Sequence, residues 1–134
     1  MEIVIDKNPE DRWNNYKDLL LDADPSKQMI EKYLYQNTMF IMKDPLDSTN
    51  IIAEAVVSID DNQTVEIKNI AVSKFHQGKG YGKTLIDYIC NYYKSNFHVK
   101  SITVGTSEYG QGFYKKCGFI FSHIVENFFL INYP

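Results

Sequence analysis

The apolar run Val65-Glu66-Ile67-Lys68-Asn69-Ile70-Ala71-Val72 is followed closely by His76-Gln77-Gly78-Lys79-Gly80-Tyr81-Gly82-Lys83-Thr84, which leads into a helical pattern. Three glycines at alternate positions, directly ahead of a helix, clear side chains from a turn whose backbone N–H groups face one way. The first turn of a helix has unpaired N–H donors and about half a positive charge, so this turn suits an anion such as phosphate. Lys79 and Lys83 add positive charge on either side.

Two kinds of anion cradle compete for the stretch. A P-loop reads G-x-x-x-x-G-K-[ST]; Gly82-Lys83-Thr84 fits its second half, but its first glycine falls on Gln77. The later apolar run Ser101-Ile102-Thr103-Val104 also ends in Gly105 rather than an aspartate for Mg²⁺. The alternative pattern, [RQ]-x-x-G-x-[GA], is filled completely by Gln77, Gly80 and Gly82. This stretch resembles the acetyl-CoA pyrophosphate loop of the GNAT superfamily of N-acetyltransferases, and the strand before it is similar to that family's fourth strand. The competing structural reading is a glycine-rich turn that caps an ordinary helix.

A chain of 134 residues with 44% hydrophobic and 23% charged residues reads as one globular domain, 1–134, able to bury a core without metal or disulfide. A net charge of −3 lacks the basic footprint of a nucleic-acid binder, so an anionic ligand must be held by local field. No segment has the length of a membrane span and Met1 to Asp6 do not read as a leader, which predicts a cytoplasmic protein that does not engage membranes. Cys90 and Cys117 lie on predicted helices without metal spacing, and His76, His98 and His123 are dispersed. Reduced thiols and no metal are expected.

In order, the pattern predicts a first strand (Glu2 to Ile5), a helix from Asp11 to about Leu21, and a second helix opened by Asp24-Pro25 as cap and first residue and running through Leu34. Strands follow at Met39 to Met42 and Ile51 to Ile59, with residues 45–50 as a loop and Asp60-Asp61-Asn62 as a hairpin turn. In the fourth strand Val65 and Ile67 occupy one parity and Ile70 and Val72 the other. Either a β-bulge near Lys68-Asn69 or burial of both faces resolves the conflict. A helix whose buried stripe is Leu85, Ile86, Ile89, Cys90 and Tyr93 comes next. Then come a strand at Ser101 to Val104, a short helix from Gly110 to Cys117 stopped by Gly118, and a strand from Phe119 to Val125. Glu126-Asn127 reads as a turn, and Phe128 to Ile131 is a last apolar run.

The resemblance covers Val65 to Phe119 closely and the remainder by element order. It implies an α/β (α+β) GNAT fold: a central, mixed, mostly antiparallel sheet, splayed between strands 4 and 5 and flanked by about four helices. It further implies acetyl transfer from acetyl-CoA to an amine. Pantetheine is expected to pair with Ile70, Ala71 and Val72, and the pyrophosphate to bond residues Gln77, Gly78, Lys79, Gly80, Tyr81, Gly82, Lys83 and Thr84. The Val72 N–H is the equivalent of the family's oxyanion donor. Glu66, six residues earlier, stands where many relatives place the base that takes the amine's proton. Tyr114, in Tyr114-Lys115-Lys116-Cys117-Gly118-Phe119, is the equivalent of the acid that protonates the departing thiolate. Many relatives carry asparagine seven residues before this tyrosine; here it is Ser107, a departure on the pantetheine arm. The chain also leaves the strand between the fifth and sixth to Phe128–Tyr133, a neighbouring subunit or an open edge. A small-molecule amine is the favoured acceptor, ahead of a peptide amine, for a monomer or homodimer. The alternatives are a non-catalytic acyl-CoA-binding module and a nucleotide hydrolase.

Overall fold

The computed structural model describes the backbone at residues 1–106, 111–125 and 128–133, and side chains at 1–105, 112–120 and 131. The elements are β1 (Glu2–Ile5), a 3-10 turn (Pro9–Asp11), α1 (Arg12–Ala23), α2 (Lys27–Glu31), β2 (Thr38–Asp44), β3 (Asp47–Ile59) and β4 (Thr64–Val72). They continue with α3 (Tyr81–Asn96), β5 (Ser101–Thr106), α4 (Gln111–Lys116), β6 (Ile120–Val125) and β7 (Phe128–Tyr133). Two compact units result: Met1–Val57 with Lys68–Leu85, and Ser58–Ile67 with Ile86–Pro134.

In the first unit β1, β2 and β3 pair antiparallel, with Ile5 opposite Phe40, Ile41 opposite Glu54 and Met39 opposite Val56. The register shifts at Met42/Lys43, where Met42 faces Ala53 but Lys43 faces Ile51. That extra residue turns Ile51 onto the face that Glu54 and Val56 share. Helical spacing on α1 aligns Trp13, Tyr16 and Leu20, and these cover that face. Leu20, Ile30, Leu34, Met39, Ile41 and Val56 form the buried cluster, with Trp13, Tyr16, Leu21, Tyr33 and Ile51 packed around it.

Arg12, only 3% exposed, ties the start of α1 to the segments on either side. Its Nε donates to Asp6 Oδ2 at 2.9 Å, Nη1 to the carbonyls of Leu34 (2.7 Å) and Asn37 (2.8 Å), and Nη2 to the Asp6 carbonyl (3.2 Å). The charge is therefore both paired and hydrogen-bonded, which is what makes its burial tolerable.

In the second unit Thr64–Ile67 of β4 run parallel to Ser101–Val104 of β5. A parallel step needs a long crossover, and α3 provides it. Its expected stripe, Leu85, Ile86, Ile89, Cys90 and Tyr93, is buried. β7 pairs antiparallel with both β5 and β6, so Phe128–Tyr133 fill the place between them and of the three sequence options the first holds. Gly118, at φ 100°, closes α4 as expected. The Phe119 N–H reaches the Tyr114 carbonyl and the Gly118 N–H the Lys115 carbonyl, both at 3.0 Å, the paired bonds of a Schellman cap.

Several local expectations are corrected. α2 opens at Lys27, not Pro25: Ser26 is the cap, its Oγ accepting the Met29 N–H at 3.2 Å, while Asp24 Oδ1 accepts the Ser26 N–H at 3.1 Å. The helix also ends at Glu31 rather than Leu34. β3 begins at Asp47, so the expected 45–50 loop shrinks to Pro45 and Leu46. In the hairpin turn positive φ falls on Gln63 (61°), not on an aspartate or asparagine, and Asp60 Oδ1 accepts the N–H groups of Asn62 and Thr64, both at 2.9 Å. The Asp60 amide meets the Thr64 carbonyl at one end of the β3–β4 hairpin, and the Ser73 amide meets the Ile52 carbonyl at the other. Between these bonds β4 carries one residue more than β3, as the expected bulge requires. The expected turn at Glu126-Asn127 lies outside the described residues.

Arg12→Ala takes its guanidinium from the Asp6 carboxylate and from the carbonyls of Asp6, Leu34 and Asn37. Urea unfolding should show a loss of about 3–5 kcal/mol.

Candidate active site

β4 delivers the chain to the glycine turn, and side-chain and backbone bonds hold both ends. The Ser73 amide donates to the Ile52 carbonyl at 2.8 Å, and Gln77 Nε2 donates to the Val72 carbonyl at 3.0 Å. Gln77 thus fastens the turn to the strand end. At the other end the Thr84 amide (3.1 Å) and hydroxyl (3.0 Å) both donate to the Gly80 carbonyl, the first bond of α3. The amides of Tyr81 and Gly82 precede that bond and have no carbonyl one turn back.

Gly78 (φ 78°) and Gly80 (φ 83°) alternate with Lys79 in the left-handed region, and a Cβ added at either would meet nothing within 4 Å. Backbone conformation, not crowding, asks for glycine there, and the space above the turn is open. Residues Gln77 to Gly80 are exposed, as are Lys83 and Thr84, whereas Tyr81 and Gly82 are half-buried. A diphosphate fits this surface: clear of side chains, lined by main-chain donors and the dipole end of α3, with Lys79 beside it. The turn, together with the half-buried Ile70, Ala71 and Val72 at the end of β4, lies in the first unit.

Of the remaining expected site residues, Ser107 lies outside the described residues. Glu66 and Tyr114 belong to the second unit. Glu66 is half-buried on β4. Tyr114 is 9% exposed on α4, with its ring edge-on to Phe113 (5.1 Å) and Phe119 (5.6 Å). Cys90 and Cys117 are free and buried, and burial pushes the Cys90 thiol up to about 12. That thiol is protonated at neutral pH and is no nucleophile.

The first unit holds polar groups that the sequence reading passed over. Glu54, in the middle of β3, is fully buried, and neither carboxylate oxygen has a hydrogen-bond partner among the described residues. Burial raises its carboxyl well above the ordinary glutamate value. Asn69, 3% exposed, donates from Nδ2 to the Leu20 carbonyl and to the Tyr33 hydroxyl, both at 3.0 Å. Tyr33 in turn donates to Asp24 Oδ2 at 3.1 Å. The signal was present: a glutamate inside Ile51-Ile52-Ala53-Glu54-Ala55-Val56-Val57 has no solvated face to occupy. In the same unit a cavity of about 680 Å³ is lined by Tyr16, Leu21, Asp22, Ile51, Ser73 and His76 among others.

The family model for the acetyltransferase (GNAT) family matches residues 8–119. The chain belongs to that family, and it is an N-acetyltransferase. Its fold is the family's: mixed, mostly antiparallel strands that run parallel only between β4 and β5, with four α-helices among the described residues. It is similar to an uncharacterized N-acetyltransferase, YvbK, of Bacillus subtilis (strain 168), with 38% identity over 120 residues, 87% of this chain and 74% of the relative. Among solved structures, a Bacillus subtilis acetyltransferase in complex with CoA is 27% identical at a TM-score of 0.79, covering 98% of this chain and 96% of that one. A GNAT acetyltransferase from Elizabethkingia anophelis with acetyl-CoA bound is 30% identical at 0.76, covering 97% and 96%.

Gly80→Ala forces a side chain into left-handed backbone and should cost about 1–2 kcal/mol in urea unfolding. Thermal melts of the variant should show the same loss with no change in far-ultraviolet circular dichroism.

Proposed function

We propose that residues 1–134 act as one acetyltransferase domain that moves an acetyl group from acetyl-CoA to a small-molecule amine by direct attack in a ternary complex. The observation that carries this reading is the open, side-chain-free turn at the end of β4, with Gly78 and Gly80 in left-handed backbone and nothing within 4 Å above them. The CoA-bound and acetyl-CoA-bound relatives support it. Main-chain donors from Gln77 to Gly82 would hold the diphosphate, with Lys79, Lys83 and Thr84 around them. Ile70, Ala71 and Val72 would align the pantetheine arm, with Ser107 a further contact, and the Val72 N–H would donate to the thioester oxygen as charge grows there. One such donor is typically worth about 3 kcal/mol.

Glu66 takes the ammonium proton, directly or through water. An amine with a pKa of about 10.4 is otherwise mostly charged at neutral pH. Tyr114 donates its phenolic proton to the thiolate as the C–S bond breaks. A phenol near 10 is protonated at pH 7, and its position above a thiol near 8.5 does not prevent transfer in concert with bond cleavage. Cys90 is protonated and buried, which favours direct attack over an acyl-enzyme. The acetyl donor and two free thiols suit a cytoplasmic enzyme.

Calorimetry should show binding of acetyl-CoA and no Mg²⁺-dependent binding of ATP; the reverse would make the turn a nucleotide site. Tyr114→Phe should lower kcat about 10- to 100-fold with acetyl-CoA affinity unchanged. An unaltered kcat would remove the phenol from the chemistry. Absence of thiol release across a panel of amines, despite tight acetyl-CoA binding, would point to a non-catalytic acyl-CoA-binding module.

A further inference from the structure

The cavity of about 680 Å³ is built wholly from the first unit and has three walls: one side of α1, the start of β3, and the segment 73–76 that joins β4 to the glycine turn. That third wall is held firmly. The Ser73 amide donates to the Ile52 carbonyl and the His76 amide to the Ser73 carbonyl, both at 2.8 Å. Ser73 follows directly on Val72, whose N–H is proposed above to hold the thioester oxygen. A molecule in the cavity therefore lies against the residue next to the reacting centre. The volume falls within the range of pockets that enclose one small molecule, about 300–1,000 Å³.

The lining chemistry narrows the ligand. Lys17 and Lys74 offset Asp18 and Asp22, so no net field draws a polyanion or a polycation. Hydrogen bonding is left to discriminate. Three carboxamides line the walls, Asn14 and Asn15 from α1 and Asn50 from β3, and none has a side-chain hydrogen bond to another described residue. A carboxamide both donates and accepts, and the group that answers it in kind is a hydroxyl; an ammonium only donates and a carboxylate only accepts. Asn14, Asp18 and Asp22 recur at every fourth residue, one row of α1 with steps of about 6 Å. Such a row meets several hydroxyls spread over one small body better than it meets a single polar head. Apolar surface completes the site. Leu21 and Ile51 line it, and Phe75, 76% exposed, has the Lys74 ammonium 5.3 Å from its ring centroid. Its ring offers a flat apolar face to the C–H side of a polyol.

Resting on the acetyl-transfer reading, we propose that this cavity holds the body of the acceptor and selects a polyhydroxylated amine of monosaccharide size, an amino sugar. Asn14, Asn15 and Asn50 exchange hydrogen bonds with its hydroxyls, Asp18 accepts from them, and Phe75 covers its apolar side. These are specificity-determining residues, and the proton transfers stay with Glu66 and Tyr114. Hydroxyls rather than the amine decide affinity here. An amine on a ring of the same size without hydroxyls would displace water from the carboxamides and give them nothing in return.

The test uses glucosamine and cyclohexylamine as probes, by calorimetry on CoA-saturated protein and by thiol release with acetyl-CoA. Asn14→Ala and Asn50→Ala remove carboxamides without changing charge, and alanine suits an exposed helical position such as 14. Each should raise the glucosamine KM about 3- to 10-fold, and Asp18→Ala about 10-fold or more, with CoA affinity unchanged. In the two asparagine variants the cyclohexylamine KM should move less than about twofold, a split that general damage to the fold would not produce. An unchanged glucosamine KM in Asn14→Ala and Asp18→Ala, or equal rises for both amines, overturns the polyol site while acetyl transfer stands. If no amine releases thiol, yet glucosamine binds wild type and Asp18→Ala weakens that binding, the cavity stands and the transfer reading falls. Absence of glucosamine binding and turnover in wild type overturns the proposal outright.

Discussion

The amide of Asn69 is the interaction on which the first unit depends. One nitrogen bonds the Leu20 carbonyl near the end of α1 and the hydroxyl of Tyr33 just after α2, so a single β4 side chain ties α1 to the segment that follows α2. It does so where the strand changes parity. Val65, Ile67 and Asn69 are buried in alternation, whereas Ile70, Ala71 and Val72 are half-buried in succession. An apolar residue at 69 would leave the Leu20 carbonyl with the Asp24 amide alone and take the Asn69 donor from the Tyr33 oxygen, removing the link from β4 to both.

That link also explains which parts of the fold were legible in the sequence. β1, α3 and its stripe, and the Gly118 stop came out as expected, because each is written in local period or in a residue with one conformational use. The start of α2 did not. Asp24-Pro25 and Ser26 both satisfy the rules for a helix start, and the choice was made by distant contacts, since Asp24 is occupied by the Tyr33 hydroxyl and the Ser26 amide. β3 was cut short for a similar reason: Asp47 to Asn50 look like a loop by composition, yet pairing with β2 carries the strand to them. The hairpin put its positive φ on Gln63 because Asp60 spends its carboxylate on two amides and positions the turn from outside. Polar residues were legible as turn formers and illegible as partners.

The same division holds for the candidate site. The glycine turn was readable because an anion cradle needs little beyond backbone, and backbone freedom is visible as glycine. Gln77 was readable as part of a pattern, but its physical task was not: its amide bonds the Val72 carbonyl, so it fastens the turn to the strand. Glu54 was invisible to any motif. Only the fold reveals it: the carboxyl is fully buried and neither oxygen has a hydrogen-bond partner among the described residues.

The turn after β4 offers main-chain N–H donors and a helix dipole to an anion. A protein of net charge −3 has no general attraction for an anionic donor, so each ligand must be recognised by local arrangement.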